Sequence, residues 1–242
     1  RKRHDQADRL RRVGGSLRVR GKSRQRGEHD GQQDEESAHG IRVLRMHKGD
    51  SITFTDGSGN LYEGLISSDD PRKMEAEIVS SRSGYGKKPY RLHLAVSPLK
   101  NTDRFEWLIE KAVEIGIDEI TPIVCERSEK PGIRKERISK LIISAMKQSL
   151  KSICPKLNET TAFSKFIAEN NSGFRLIAHC NTDTERNSIT EAIKPANDYL
   201  ILIGPEGDFT NDEVDLAIKA GFISVHIGNS RLRTETAGIT AC

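Results

Sequence analysis

At 242 residues, 35% hydrophobic and 31% charged, the chain is polar yet long enough to bury a core. No run approaches the roughly 18 apolar residues of a membrane span, and Cys125, Cys154, Cys180 and Cys242 are scattered without a C-x-x-C pair. A membrane helix and a metal centre are therefore not expected, and a cytoplasmic setting with reduced thiols is, although four cysteines leave two disulfides open. The formal charge of +4 is uneven: residues 1–33 hold 11 Lys/Arg against 4 Asp/Glu, and the rest holds 28 against 31. Affinity for nucleic acid must then come from local basic patches rather than from the charge of the body.

Residues 1–33 contain five apolar residues and no aromatic. Such a segment buries too little surface to offset its ordering entropy, so a disordered or non-native basic extension is expected, with an Arg-rich RNA-binding arm as the other reading. From about residue 34 the texture changes. "IRVLRMHKGDSITFTDGSGNLYEGLISS" and "KMEAEIVSS" read as short strands split by turn residues, which predicts a small β-barrel domain over 34–86. "GYGKKP" at 84–89 reads as a linker.

Over 90–242 apolar strands alternate with helices. Strands are expected at 92–97, 119–125, 175–180, 199–204 and 222–228. The helix in "DRFEWLIEKAVEIG" has a capping-box-like Asp103/Glu106 pair, a face of Phe105, Leu108, Ile109 and Ala112, and Gly116 as its stop. Trp107 is expected in the core with Phe105. "KERISKLIISAMKQSL" is a second amphipathic helix. Thr210 and Glu213 box the start of a third, with Val214, Ala217 and Ile218 facing inward. Near-continuous apolar strands alternating with helices predict a parallel α/β sheet covered on both faces.

In such sheets ligands sit beyond the carboxyl ends of the strands. The stretch "YLILIGPEGDFTNDE" places Gly204-Pro205-Glu206-Gly207 at one such end. It lacks the Lys-Ser/Thr of a phosphate-binding loop and the spacing of G-x-G-x-x-G. Pro205 has no N–H and Glu206 repels phosphate, so triphosphates and dinucleotides fit poorly. An adenine nucleoside with a positive charge, such as S-adenosylmethionine, fits better. A later loop, "GNSRLRTETAGITAC", presents Arg231, Arg233 and Glu235 before an apolar helical pattern, which on spacing alone reads equally well as a surface salt-bridge cluster.

"LIGPEGDFTNDEV" followed by "GNSRLRTETAGITA" resembles the RsmE family of 16S rRNA uridine-N3 methyltransferases, within the SPOUT superfamily of trefoil-knotted methyltransferases. "ESAHGIRVLRMHKGD", "DRFEWLIEKAVEIGIDEITPIVCERS" and "AMKQSLKSICPKL" resemble the family's other blocks, so the likeness spans roughly 34–242. It implies a PUA-like RNA-binding barrel followed by a knotted domain, a homodimer, S-adenosylmethionine as cofactor, and the small ribosomal subunit as partner. Carried onto this chain, the cofactor pocket comprises His179, Ile203, Gly204, Pro205, Glu206, Gly207, Ile227, Gly228, Leu232, Arg233 and Thr234. Two departures stand out. The family's opening aromatic strand has no counterpart in residues 1–33, and the chain ends early in what resembles the final helix. Asp208 also stands where a further glycine is common, a change expected to be tolerated if its side chain faces solvent.

The activity so implied is methylation of a uridine N3, an imide that must lose its proton to attack. Glu235 or Glu206 is the expected base and Arg233 the stabiliser of the developing anion. Each carboxylate also has a structural reading, Glu206 as a turn-former and Glu235 as a helix cap. RNA contacts are expected from Arg42 and Arg45, beside His47 and Lys48, and from Lys100, Arg104 and Arg127 at strand ends. His179 with Cys180, and His226, read as packing or pocket walls rather than as metal ligands. The other functional readings are a related knotted methyltransferase acting on another RNA and a non-catalytic RNA-binding or ribosome-assembly module.

Overall fold

Strands that alternate buried and exposed residues come first along the chain, and strands buried on both faces follow. The two kinds fall into separate units, Arg1–Lys87 with Leu150–Ile153 and Lys88–Ser149 with Cys154–Cys242. A computed structural model describes residues 18–19, 46–70, 73–170, 173–181, 185–194 and 198–242 of the chain. Within the expected basic extension only Arg18–Val19 is described. Arg42, Arg45 and the first part of the expected barrel lie outside the described residues.

In the first unit, β1 (Arg18–Val19), β2 (Ser51–Thr55), β3 (Asn60–Asp70) and β4 (Lys73–Ser83) form a sheet in the order β1-β4-β3-β2. The period of two in "SITFT" turns Ile52 and Phe54 to one face, where they meet Met46, Ile66, Met74 and Ala76. Phe54 stacks on Tyr62 with centroids 5.2 Å apart. The β2–β3 turn is held by Asp56, whose carboxylate accepts from Ser58 N at 2.8 Å, Asn60 Nδ2 at 2.7 Å and Tyr62 OH at 3.2 Å. A bulge at Glu63/Gly64 brings β3 against its neighbour, and a Cβ on Gly64 would stand 2.9 Å from Glu77 O. Leu150–Ile153 completes the unit, with Ser152 O accepting from Gly59 N and Thr55 Oγ1.

The second unit is built on β5 (Leu92–Val96), β6 (Glu119–Val124), β7 (Lys156–Leu157), β8 (Thr161–Ala162), β9 (Phe174–Ala178), β10 (Asn187–Ser188), β11 (Tyr199–Ile203) and β12 (Ile223–His226). The order is β10-β12-β9-β11-β5-β6-β7, with β8 also on β6, and every pairing is parallel. Alternation along β11 explains the double burial. Ile201 and Ile203 enter one core and Leu200 and Leu202 the other. The first core is covered by α1 (Thr102–Ile115), α2 (Lys135–Gln148) and α6 (Thr234–Ala241), and the second by α3 (Phe163–Glu169) and α5 (Asn211–Lys219). A short α4 (Ile189–Ala192) follows β10. Each fully buried Leu or Ile contributes about 1.5–3 kcal/mol relative to exposure, so this double-faced sheet dominates the unit's stability.

Several sequence expectations are met at the level of single bonds. Gly116 ends α1 with φ +118°, its N–H on Ala112 O. Thr210 and Glu213 make both bonds of their capping box. Others are corrected. The N-cap of α1 is Asn101, whose Oδ1 accepts from Asp103 N at 2.9 Å and Arg104 N at 3.2 Å, while Glu106 accepts from Arg137 on α2 instead. Helical periodicity places Trp107 on the face opposite the buried Phe105, Leu108, Ile109 and Ala112, and it is 48% exposed; Ile218 lies at the edge of the Val214/Ala217 stripe and is 38% exposed. Arg175 at the start of β9 fastens two helix ends that periodicity does not reveal. Its Nη1 donates to Asn170 O after α3 and Ala220 O after α5, with the guanidinium over the Phe222 ring, so positive charge meets two helix C-termini.

At the amino edge of the sheet Glu119 is buried among Arg91, Lys156, Asn158 and His93. Burial pushes its carboxyl up, but the Asn158 bond and the surrounding positive charge outweigh that and hold it below the ordinary value. Burial lowers His93 to about 4 against the opposing pull of Glu119, so at neutral pH the two are not an ion pair. The unfolded chain then binds a proton at His93 below about pH 6.5 that the folded chain refuses until about 4. Stability is expected to fall on acidification through that window, by about 3 kcal/mol from this group, and His93→Gln should flatten that part of a denaturation-midpoint-against-pH curve. Packing yields a second prediction. A Cβ on Gly238 would lie 2.6 Å from Leu108 Cδ1. Gly238→Ala is expected to lose about 1–3 kcal/mol to overpacking, more than the ~1 kcal/mol of helix propensity it gains, and to lower Tm by several degrees. Adding Leu108→Val should recover part of that loss.

Candidate active site

All carboxyl ends of a parallel sheet lie on one edge, and there the strand-end loops of β5, β6, β9, β11 and β12 converge. The crossovers from β5 to β6 and from β11 over β9 to β12 leave in opposite directions along the sheet, which makes the β5/β11 boundary a switch point. The β11 loop is the tightest of the set. Gly204 is buried, and a Cβ there would meet the Phe209 ring at 3.1 Å and Phe209 N at 3.2 Å, so no side chain fits without moving the loop. Asp208 N closes a turn on Pro205 O at 2.9 Å, and Asp208 sits at φ +62°, in the left-handed region that favours glycine.

This loop is stitched to each neighbour. Glu206 Oε1 accepts from Lys100 N after β5 at 3.0 Å, and Arg127 Nη1, after β6, donates to Gly207 O at 2.9 Å. Asp208 Oδ2 accepts from Cys180 N after β9 at 2.7 Å, so the side chain is engaged with the protein rather than merely facing solvent. Just beyond, Glu213 Oε1 accepts from Glu126 N at 2.9 Å. His179, 4% exposed, accepts from Asn181 N on Nδ1 at 3.2 Å and meets Ser224 Oγ with Nε2, so Nε2 carries the proton. Burial lowers its pKa, partly opposed by Asp208, and the ring is neutral. The loop after β12 turns at Gly228, φ +131°, whose N–H reaches His226 Nδ1 at 3.3 Å. It then delivers Thr234 and Glu235 to the first turn of α6 at 8% and 6% exposure, where the helix dipole favours a carboxylate. Arg104 of α1 faces Glu235, Nε to Oε1 3.8 Å.

These loops enclose a cavity of about 410 Å³, the size of a small-molecule site. Its walls bring together His179 from β9, Ile203 to Glu206 from β11, and Ile227, Gly228, Leu232, Arg233, Thr234 and Glu235 from β12. Gly207 lines an adjoining hollow instead. Of the residues expected to contact RNA, Arg104 lines the cavity, Arg127 lines the adjoining hollow, and Lys100 is paired with Glu129 at 2.7 Å. Ser230 and Arg231, within the stretch 227–234 expected at the pocket, and His226, expected as packing or pocket wall, line the cavity, while sequence reasoning missed Arg186 and Asp208. The glycine-loop signal extended to Asp208, but the sequence around Arg186 carries no motif. Among the described residues no group of three His, Cys, Asp or Glu could hold a metal ion, and no helix is long and apolar enough to cross a membrane.

Residues 86–242 match the RNA methyltransferase domain family, and residues 33–79 match the RNA methyltransferase PUA domain. The chain is 30% identical to the ribosomal RNA small subunit methyltransferase E of Rickettsia conorii, over 82% of this chain and 81% of that protein. In structure it is similar to a probable rRNA methyltransferase from Porphyromonas gingivalis, at 40% identity and TM-score 0.82 over 89% of this chain and 91% of the other. It is also similar to a ribosomal RNA small subunit methyltransferase E from Neisseria gonorrhoeae bound to S-adenosyl methionine, at 25% identity and TM-score 0.80 over 96% and 94%. With its paired loops on the carboxyl edge of a parallel sheet and its matches running nearly end to end, the chain belongs to the ribosomal RNA small subunit methyltransferase E family.

Proposed function

We propose that this protein transfers a methyl group from S-adenosylmethionine to N3 of a uridine in small-subunit ribosomal RNA. The observation that carries this reading is the 410 Å³ cavity at the switch point, with the buried carboxylate of Glu235 on its wall and Arg104 beside it. The residues present fit the cofactor. Gly204 keeps the backbone bare where a Cβ would press on Phe209, Gly228 supplies a backbone angle that favours glycine, and Glu206 and Glu235 are suited to a cation rather than to a phosphate. Similarity to a chain bound to S-adenosyl methionine supports the same assignment. When bound, S-adenosylmethionine supplies an electrophilic methyl carbon on a sulfonium centre.

The chain's own residues provide alignment and proton transfer. Loops tied to one another by Glu206 and Asp208 hold the cavity walls in fixed register, which is the kind of preorganisation that turns a bimolecular displacement into an oriented one. Glu235 accepts the N3 proton, Arg104 aims its carboxylate, and Arg233, exposed at the mouth, stabilises charge developing on the uracil oxygens. Glu206 has its Oε1 on Lys100 N, which favours a loop-forming role for it over that of base. Because N3 lies on the pairing edge of uracil, the target must be unpaired at transfer. The product is then recognisable as a reverse-transcription stop at one uridine of small-subunit rRNA.

In single-turnover methylation of that RNA, Glu235→Gln is expected to lose about 10²–10⁴ in rate and to recover partially as pH rises, since solvent must then take the proton. An unchanged rate and pH profile would remove Glu235 as the base, and methylation at a position other than N3 would remove the assigned product. We further infer a homodimer. Trp107 and Ile115 of α1, each 48% exposed, offer apolar surface that pairing would cover. Trp107→Glu should shift the sedimenting species to monomer if they lie in that interface, and a persistent dimer would place the interface elsewhere.

A further inference from the structure

Beside the cavity lies a second hollow of about 700 Å³, and the two share a wall that includes Cys180, Arg186, His226 and Arg231. Arg127 stands on the far side of this hollow, so three guanidinium groups line it. Two of them are fixed by backbone carbonyls: Arg127 Nη1 on Gly207 O at 2.9 Å and Arg186 Nη1 on His179 O at 2.7 Å. A carbonyl orients a guanidinium without neutralising it. Among the described residues none of the three arginines is paired with a carboxylate. Asp208 is the one acidic residue on the described lining, and its oxygens are engaged by Cys180 N at 2.7 Å and Phe209 N at 2.8 Å. The hollow is therefore positive, preorganised and rich in N–H donors.

Its chemistry suits an anion with paired oxygens. A guanidinium fork matches two oxygens of a phosphodiester; Asn181 Nδ2 donates to Asn211 Oδ1 at 2.8 Å, and Asn211 and Asn229 add amide groups around it. Of the rings on its lining, Phe209 is buried and His226 is half-buried, so it offers no stacking platform for a base. We propose that this hollow is an RNA phosphate cradle, which seats a backbone phosphate next to the nucleotide whose base enters the methyl-transfer cavity. The proposal rests on the RNA-methylating reading above and gives it a register, because the shared wall sets the phosphate beside the base. The carboxylate of an amino-acid moiety on the cofactor has similar anion chemistry, and the test separates the two sources.

The full-length protein is titrated with protein-free small-subunit rRNA between about 50 and 200 mM salt, and with S-adenosylmethionine by calorimetry. Arg186→Gln is expected to reduce the slope of log affinity against log salt by about 0.7–0.9, the share of one phosphate contact. Asn229→Asp, which adds a negative charge to an exposed rim position, should weaken RNA binding several-fold and leave cofactor affinity within about twofold. Asn229→Lys should do the reverse to RNA, steepening the slope, and guards against mistaking a folding defect for lost contacts. Unchanged RNA affinity and slope in all three folded variants would overturn the cradle. So would an Asn229→Asp protein that loses cofactor affinity but keeps the RNA slope, since that assigns the hollow to the cofactor's carboxylate. A wild-type protein that binds RNA with a steep slope but no S-adenosylmethionine would sink the methyltransferase reading and the register drawn from it, and a reduced slope in Arg186→Gln would then still place an RNA phosphate in the hollow.

Discussion

A parallel sheet ends on backbone groups that no further strand can satisfy, and the residues following β11 answer that requirement for most of the carboxyl edge. The segment 204–209 reaches the loops after β5, β6 and β9 through Glu206, Gly207 and Asp208. Leaving those N–H and C=O groups unpaired at a partly buried edge would cost on the order of 1–3 kcal/mol each. The same bonds that stabilise the edge also set the spacing of the cavity walls. Fold and site are consequently not separable here, and a change in the loop is felt in both.

The two sides of the sheet are coupled to this edge in different ways. On one face α6 lies so close to α1 that a methyl group on Gly238 would strike Leu108. That approach carries Glu235 and Thr234 into the first turn of α6 and onto the cavity wall beside Arg104. On the other face Glu213 both boxes the start of α5 and accepts from Glu126 N after β6. Each helix therefore presents its N-terminal turn to the edge where chemistry is expected, where its dipole favours carboxylates and incoming negative charge. At the opposite edge the positive Arg175 meets the helix C-termini.

Much of this was legible from residue patterns. Periodicity located the five main strands because burial on both faces leaves uninterrupted apolar runs, and Gly116 and the Thr210/Glu213 pair marked helix ends through local chemistry. Position within a helix was read less well where the apolar stripe was broad. Trp107 and Ile218 are apolar residues on solvent faces, and composition does not distinguish a core aromatic from a surface one. The cavity was readable where a motif marked it, at Gly204–Glu206 and at Arg233–Glu235. Contacts between distant loops were not, since Arg186 on His179 O and Asp208 on Cys180 N join positions with no periodic relation. Threading of a chain likewise leaves no periodic trace, so the expected knot came from family resemblance alone.

Asp208 has a consequence for the freedom of the chain. An aspartate at φ +62° whose carboxylate accepts from Cys180 N and Phe209 N has far fewer unfolded alternatives to surrender than a glycine in the same place. That latch ties Cys180, just after β9, to the β11 loop. The β12 loop differs: Gly228 N donates within its own turn, to His226 Nδ1, and residues 228–231 are exposed. The β11 loop is thus held by side-chain carboxylates that reach its neighbours, whereas the β12 loop turns on a residue without a side chain at an unusual backbone angle.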